Sequence, residues 1–89
     1  MANFNFGIDC PTEDSATGLH AYIEGLDFYR DGLDVDEERV SLVSKQGLLE
    51  ELKAYASRES VELSVEVWPE DSDYDEAEES GDLEVFDYS

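Results

Sequence analysis

The stretch ESVELSVEVWPE, residues 59–70, alternates residue by residue. Successive side chains of an extended chain point to opposite faces, so Val61, Leu63, Val65 and Val67 share one face. Glu62, Ser64, Glu66 and Trp68 share the other, and Pro69 ends the strand. A strand with one apolar face needs a sheet to sit in and a layer to cover it.

Its neighbours supply both. Upstream, KQGLLEELKAYASRE (45–59) carries Leu48, Leu49, Leu52 and Tyr55 at helical spacing, with Ser44 as the predicted cap. RVSLVS (39–44) reads as a short strand through Val40, Leu42 and Val43, and LDVDEE (33–38) as a loop with a turn of its own. At the start, FNFGID (4–9) sets Phe4, Phe6 and Ile8 against Asn5 and Gly7, a strand with one buried face. Cys10-Pro11 breaks it, and Thr12 is positioned to cap a helix with Glu13 and Asp14 in its first turn. Leu19, Tyr22, Ile23, Leu26 and Tyr29 continue that helix, with Gly32 as its stop. Gly18 and Gly25 weaken it by roughly 1 kcal/mol each. The rival is a hairpin using Tyr22, Ile23, Phe28 and Tyr29, whose poor alternation favours the helix.

Downstream, EDSDYDEAEESG (70–81) reads as an acidic loop, spanning 69–81 with Pro69. DLEVFDYS (82–89) reads as a last strand with Leu83 and Val85 inward and Asp82, Glu84 and Phe86 outward. The expected order is β-α-β-α-β-β. It makes one α+β domain over residues 1–89: a small, mostly antiparallel sheet of about four strands with two helices on one face.

Charge is the other dominant property. The 89 residues hold 25 Asp and Glu against five Lys and Arg, a formal net charge of −20. Solubility alone is served by a net charge of about 2–8 in a small domain, and the excess opposes folding by self-repulsion. With 40% hydrophobic and 11% aromatic residues, the chain still has the composition of a folded domain. Nucleic acid and anionic membranes are excluded as direct partners, being polyanions themselves. MANFNFGIDC lacks the basic and apolar regions of a signal peptide, and no apolar run approaches a membrane span. A cytoplasmic protein is expected, monomeric or dimeric.

The acids are unevenly placed. Residues 60–89 contain twelve acids and no base. Alternate strand residues lie roughly 6.6 Å apart, and i, i+4 helix residues about 5–6 Å, spacings comparable to successive phosphates of one DNA strand. Glu62 and Glu66 on one strand, Asp82 and Glu84 on its neighbour, and Glu70, Asp71, Asp73, Asp75, Glu76, Glu78 and Glu79 between them are therefore expected to present phosphate-like rows. Carboxylates also accept the bidentate arginine bonds that phosphates accept. Trp68 and Tyr74 stand among these acids as expected apolar anchors, with capping of the sheet edge as the equal alternative for Trp68.

In size, acidity, charge clustering and the exposure expected for Trp68 and Tyr74, the chain resembles the small acidic DNA-mimic proteins of phages and mobile elements, the anti-restriction and anti-CRISPR types. The resemblance is compositional and rests on no diagnostic motif. It implies an inhibitor whose acidic C-terminal surface occupies the nucleic-acid channel of a basic protein, such as a host defence nuclease or a CRISPR effector, in the host cytoplasm. Two alternatives share the composition. One is a small housekeeping domain of a halophile. The other is an acidic regulator or antitoxin of a basic protein.

Catalytic and metal chemistry find little support. Asp71, Asp73, Asp75, Glu79 and Asp82 fall at the first, third, fifth, ninth and twelfth positions of an EF-hand loop, but Glu76 stands where that loop needs glycine. His20 is the one histidine, with no Ser–His–Asp or Cys–His set around it, and Cys10 reads as a small core residue. No catalytic residue, metal or cofactor is expected.

Overall fold

The register of the apolar alternation builds the sheet from its middle outward. The computed structural model describes residues 3–27 and 31–88. The chain runs β1 (Asn3–Asp9), α1 (Glu13–Glu24), β2 (Asp31–Asp36), β3 (Arg39–Lys45), α2 (Leu48–Glu59), β4 (Leu63–Pro69), α3 (Tyr74–Ser80) and β5 (Glu84–Tyr88). The five strands form one antiparallel sheet in the order β2-β3-β1-β4-β5. The fold is α+β, as the patterning predicts.

At the centre, Phe6 faces Leu42 and Val67 across its two neighbours, and Ile8 faces Val40 and Val65. All six are buried. Ala16, Leu19 and Ile23 of α1 and Leu48, Leu52, Tyr55 and Ala56 of α2 close over this face in a single cluster. Each fully buried large apolar side chain contributes about 1.5–3 kcal/mol relative to exposure. The two helices also touch through Tyr22 and Tyr55, whose ring centroids are 4.9 Å apart. Arg58 lies over both rings, and the Tyr22 hydroxyl donates to Glu51 at 3.0 Å. Gly18 opens room at this contact, since a Cβ there would sit 3.1 Å from the Tyr55 hydroxyl.

Several expectations need correction. Thr12 caps α1 as predicted, its hydroxyl accepting from the Ser15 N–H at 3.1 Å, but the helix stops at Gly25 and not at Gly32. Gly25 N–H already bonds back to Ala21 and Tyr22, closing the last turn. Tyr29, and the hairpin alternative that needs Phe28 and Tyr29, lie outside the described residues. Ser44 does not cap α2. It is buried on the inner sheet face as the penultimate residue of β3, and Gly47 occupies the cap position.

LDVDEE is not a loop. Its alternating Leu33 and Val35 belong to β2, which pairs with β3 through a turn at Glu37 and Glu38. Hairpin turns are usually announced by Asn-Gly or Asp-Gly, and here Glu37 takes the positive φ of 54° itself. The 69–81 segment is not a loop throughout either, because α3 occupies its second half. Finally, β5 is inverted. Phe86 and Tyr88 pair with Val65 and Leu63 on the covered face, while Val85 points outward, 55% exposed. A one-residue slip flips a whole strand, and two aromatic rings bury more apolar surface than Leu83 and Val85.

Candidate acidic interface

The uncovered face of the sheet is polar. Asn5, Gly7 and Asp9 of β1 lie opposite Val43, Ser41 and Arg39 of β3, and opposite Trp68, Glu66 and Ser64 of β4. Gly7 has a specific task there: a Cβ at this position would collide with the Arg39 guanidinium. With that room, Arg39 reaches across the central strand. Its Nη1 donates to both carboxylate oxygens of Asp9 and to Glu66 Oε1, each at 3.0 Å. Burial alone would depress the guanidinium pKa, but the bonds to Glu66 and Asp9 outweigh it and leave it raised. Glu66 Oε2 in turn accepts from the Tyr74 hydroxyl at 2.6 Å. That bond, with a smaller contribution from burial, raises the tyrosine pKa. Tyr74 also meets Trp68 edge to face, centroids 5.4 Å apart.

This contact docks α3. The helix starts after Asp73, places Asp75 and Glu76 where the dipole favours acids, and buries Ala77. Gly81, at φ 83°, ends it with the N–H groups of Asp82 and Leu83 returning to Ala77 O. A recognisable signal was present in the sequence: Asp73 with Glu76 three residues later, Tyr74 and Ala77 on one side, and Gly81 after the end.

The thirteen predicted interface residues thus divide into groups. Glu70, Asp71, Asp73, Asp75, Glu76, Glu78, Glu79 and Asp82 are exposed along α3 and its flanks. On the helix, the pairs Asp75–Glu79, Asp75–Glu78 and Glu76–Glu79 stand about 5–6 Å apart at Cβ. Glu78 and Glu79 fall in the last turn, where the dipole disfavours acids and no base compensates. Asp82 accepts a hydrogen bond from Ser80 at 3.0 Å.

The strand residues behave differently. Glu62 is exposed just ahead of β4, at a cleft of about 400 Å³ that it shares with Asp9, Cys10, Asp87 and Tyr88. Glu66 is held by Arg39 and Tyr74, with its side chain 16% exposed. Trp68 and Tyr74 are half-buried against each other, not standing free among the acids. Glu84 pairs with Val67 and so belongs to the opposite face from Glu66. A shared row of Glu62, Glu66, Asp82 and Glu84 is therefore not formed.

Sequence reasoning missed a different row. Asp31, Asp34 and Asp36 pair with Val43, Ser41 and Arg39, which places all three on the uncovered face of edge strand β2. Asp31 and Asp34 would ordinarily face opposite ways. An irregularity between them, containing Gly32 at φ 63°, brings them to one side. The Asp-x-Asp alternation around Leu33 and Val35 was the available signal.

Among the described residues no three His, Cys, Asp or Glu side chains form a group that could hold a metal ion. The EF-hand-like spacing is interrupted by α3 itself, which takes Asp75 and Glu79 onto helical backbone. Cys10 is buried, and burial, with Asp9 adding to it, pushes the thiol pKa up to about 11. It is a protonated core residue at neutral pH, not an activated nucleophile. His20 lies 3.5 Å from Glu24 one helical turn on, with no nucleophile bonded to it among the described residues. No helix among the described residues is long and apolar enough to cross a membrane. Comparison with protein-family models, with curated proteins and with solved structures finds no match.

Proposed function

We propose that the protein is an inhibitor that binds a basic nucleic-acid-binding protein through its acidic C-terminal surface, in competition with nucleic acid. One observation carries this reading. Residues 60–89 hold twelve acids and no base, and eleven of the twelve are exposed. Among the described residues, Glu66 is the one member of this set in an ion pair, and its partner Arg39 comes from β3. Among the described residues, the other carboxylates of this set are in no ion pair. Their mutual repulsion falls when a cationic surface approaches, so binding and relief of repulsion act together. Charge of this kind speeds encounter more than it tightens the final complex, which suits a competitor that must outrun nucleic acid.

The partner class is a basic channel that normally holds DNA or RNA, as in a defence nuclease or CRISPR effector. The cytoplasm is where such a target works. Catalysis has no place in this reading, because the binding event itself blocks the target.

The test uses a variant with Asp71, Asp73 and Asp75 changed to Asn and Glu76, Glu78 and Glu79 changed to Gln. A labelled oligonucleotide is bound to a basic nuclease captured from a bacterial lysate by the wild-type protein at low salt. The wild type is expected to release the oligonucleotide stoichiometrically, more weakly as salt rises. The variant is expected to fold and to lose most of that release. A ternary complex, or equal release by the variant, refutes the reading. A chain that folds only in molar salt would instead mark the acidity as halophilic adaptation.

A further inference from the structure

A groove of about 360 Å³ runs over the uncovered sheet face between the Trp68–Tyr74 pair on one side and Asp31 and Gly32 of β2 on the other. Asn5, Ser41 and Val43 form its floor, and Arg39 closes one end. Its cross-strand order is fixed by register: Asp31 faces Val43, Val43 faces Asn5, and Asn5 faces Trp68. With neighbouring strands about 4.8 Å apart, the carboxylate and the indole stand at opposite sides of a trough three strand spacings wide. The floor is low because its residues are short.

The chemistry of the walls is selective. Two aromatic rings line one side, and the face of an aromatic ring attracts a cation. A carboxylate bound into no ion pair within the described residues stands on the other, since none of the ion pairs includes Asp31. Asn5 gives its side-chain N–H to Pro69 O at 3.1 Å, which leaves its carbonyl oxygen as an acceptor. Ser41 adds a hydroxyl. Arg39 is the cation facing the groove among the described residues, and it is already bonded to Asp9 and Glu66. Asp9 and Glu66 already answer that guanidinium, so Asp31 adds a further carboxylate to the groove and the local field stays negative.

We propose that this groove receives an arginine side chain presented by the basic partner, between the Trp68–Tyr74 wall and the Asp31 carboxylate. The proposal rests on the acidic-inhibitor reading and names where one residue of that partner is gripped. Arginine suits the site better than lysine. Its planar guanidinium stacks on an aromatic wall while its forked donors reach a carboxylate and carbonyl at its edge. Lysine brings a compact, strongly hydrated point charge that gains less from the ring and satisfies fewer acceptors.

Trp68 is the sole tryptophan of the chain, so its fluorescence reports the groove directly. The probe is an acetylated, amidated tri-arginine peptide, compared with tri-lysine and with uncharged tri-citrulline, and titrated into the full chain at low salt. Arginine is expected to give a saturable change in Trp68 emission, tighter than lysine, with none from citrulline. Backbone amide shifts are expected to concentrate at Asn5, Ser41, Val43 and Trp68.

Asp31→Asn keeps the shape and is expected to weaken the arginine peptide about fivefold to tenfold, as loss of a charged acceptor does. The six-site variant of α3 and its flank keeps the groove and is expected to keep the saturable Trp68 response. The controls separate the two readings. If Asp31→Asn binds like wild type while the six-site variant loses the peptide, the groove is refuted and the broad acidic surface stands. If shifts spread over α3 and spare the floor residues, the groove is likewise refuted. If Asp31→Asn loses the peptide and the six-site variant still displaces nucleic acid, the groove stands and the α3 surface is refuted.

Discussion

The two faces of the sheet obey different rules. On the covered face, Phe6, Ile8, Val40, Leu42, Val65 and Val67 interlock with two helices, and position is fixed by shape. On the uncovered face, a single arginine bridges Asp9 and Glu66, and Tyr74 ties a short acidic helix to the same carboxylate. The first face makes the protein fold. The second holds charge in place at modest energetic return, because partly exposed ion pairs contribute only about 0–1 kcal/mol. The contrast places the apolar packing of the chain on one side of the sheet and its polar, charged network on the other.

Substitutions should separate the faces sharply. Ile8→Ala, at a fully buried site on the central strand, is expected to cost about 2–5 kcal/mol in urea unfolding, enough to threaten so small a domain. Val85→Ala, apolar but outward, should stay within about 0.5 kcal/mol. Equal effects would mean that the faces are not energetically distinct. Next in size is Tyr74→Phe, which removes the hydrogen bond to Glu66 but keeps the ring against Trp68. It should lower stability slightly and speed amide exchange in α3 without touching exchange in α2.

Alkaline pH probes the boundary between the faces at Cys10. Its folded thiol titrates near 11 against an ordinary value of 9.0, so between those values the folded state holds a proton that the unfolded chain has lost. Stability from this group is therefore fully present below pH 9 and lost as pH rises toward about 11. Unfolding curves across that window should show the decline, and Cys10→Ala should flatten it. The smallest effect belongs to Gly7→Ala. The atom it displaces is the tip of a flexible side chain, and alanine limits the unfolded strand better than glycine. These terms offset to within about 1 kcal/mol. What should move is the Arg39 guanidinium, visible as a changed Nε–H resonance.

The centre of the covered face was legible in the sequence, whereas its two edge strands and the uncovered face were not. Val61 to Val67 and Phe4 to Ile8 announce their strands because burial demands strict alternation of apolar residues. The Leu48–Tyr55 stripe announces α2 for the same reason at a different period. α3 escaped because it buries only Ala77 and is written almost entirely in acids, which hides three turn-and-cap signals inside an apparently featureless run. β2 escaped because its outward positions are aspartates, residues that favour loops by composition. β5 was inverted because its short alternation allows either face, and register with β4 decides the matter. The candidate interface residues were chosen by charge alone. Which of them are engaged, as Glu66 is, depends on Arg39, thirty residues from Asp9 in sequence.

The sheet ends in two open edges, and each is acidic: Asp31, Asp34 and Asp36 on β2, Glu84 and Asp87 on β5. An unpaired edge is a template on which another copy can add its own strand, and flat edges seed fibrils that way. Here two copies meeting edge to edge would lay aspartate beside aspartate or glutamate, with no lysine or arginine on either strand to intervene. The charge that the proposed function relies on thus also opposes pairing of these edges between copies.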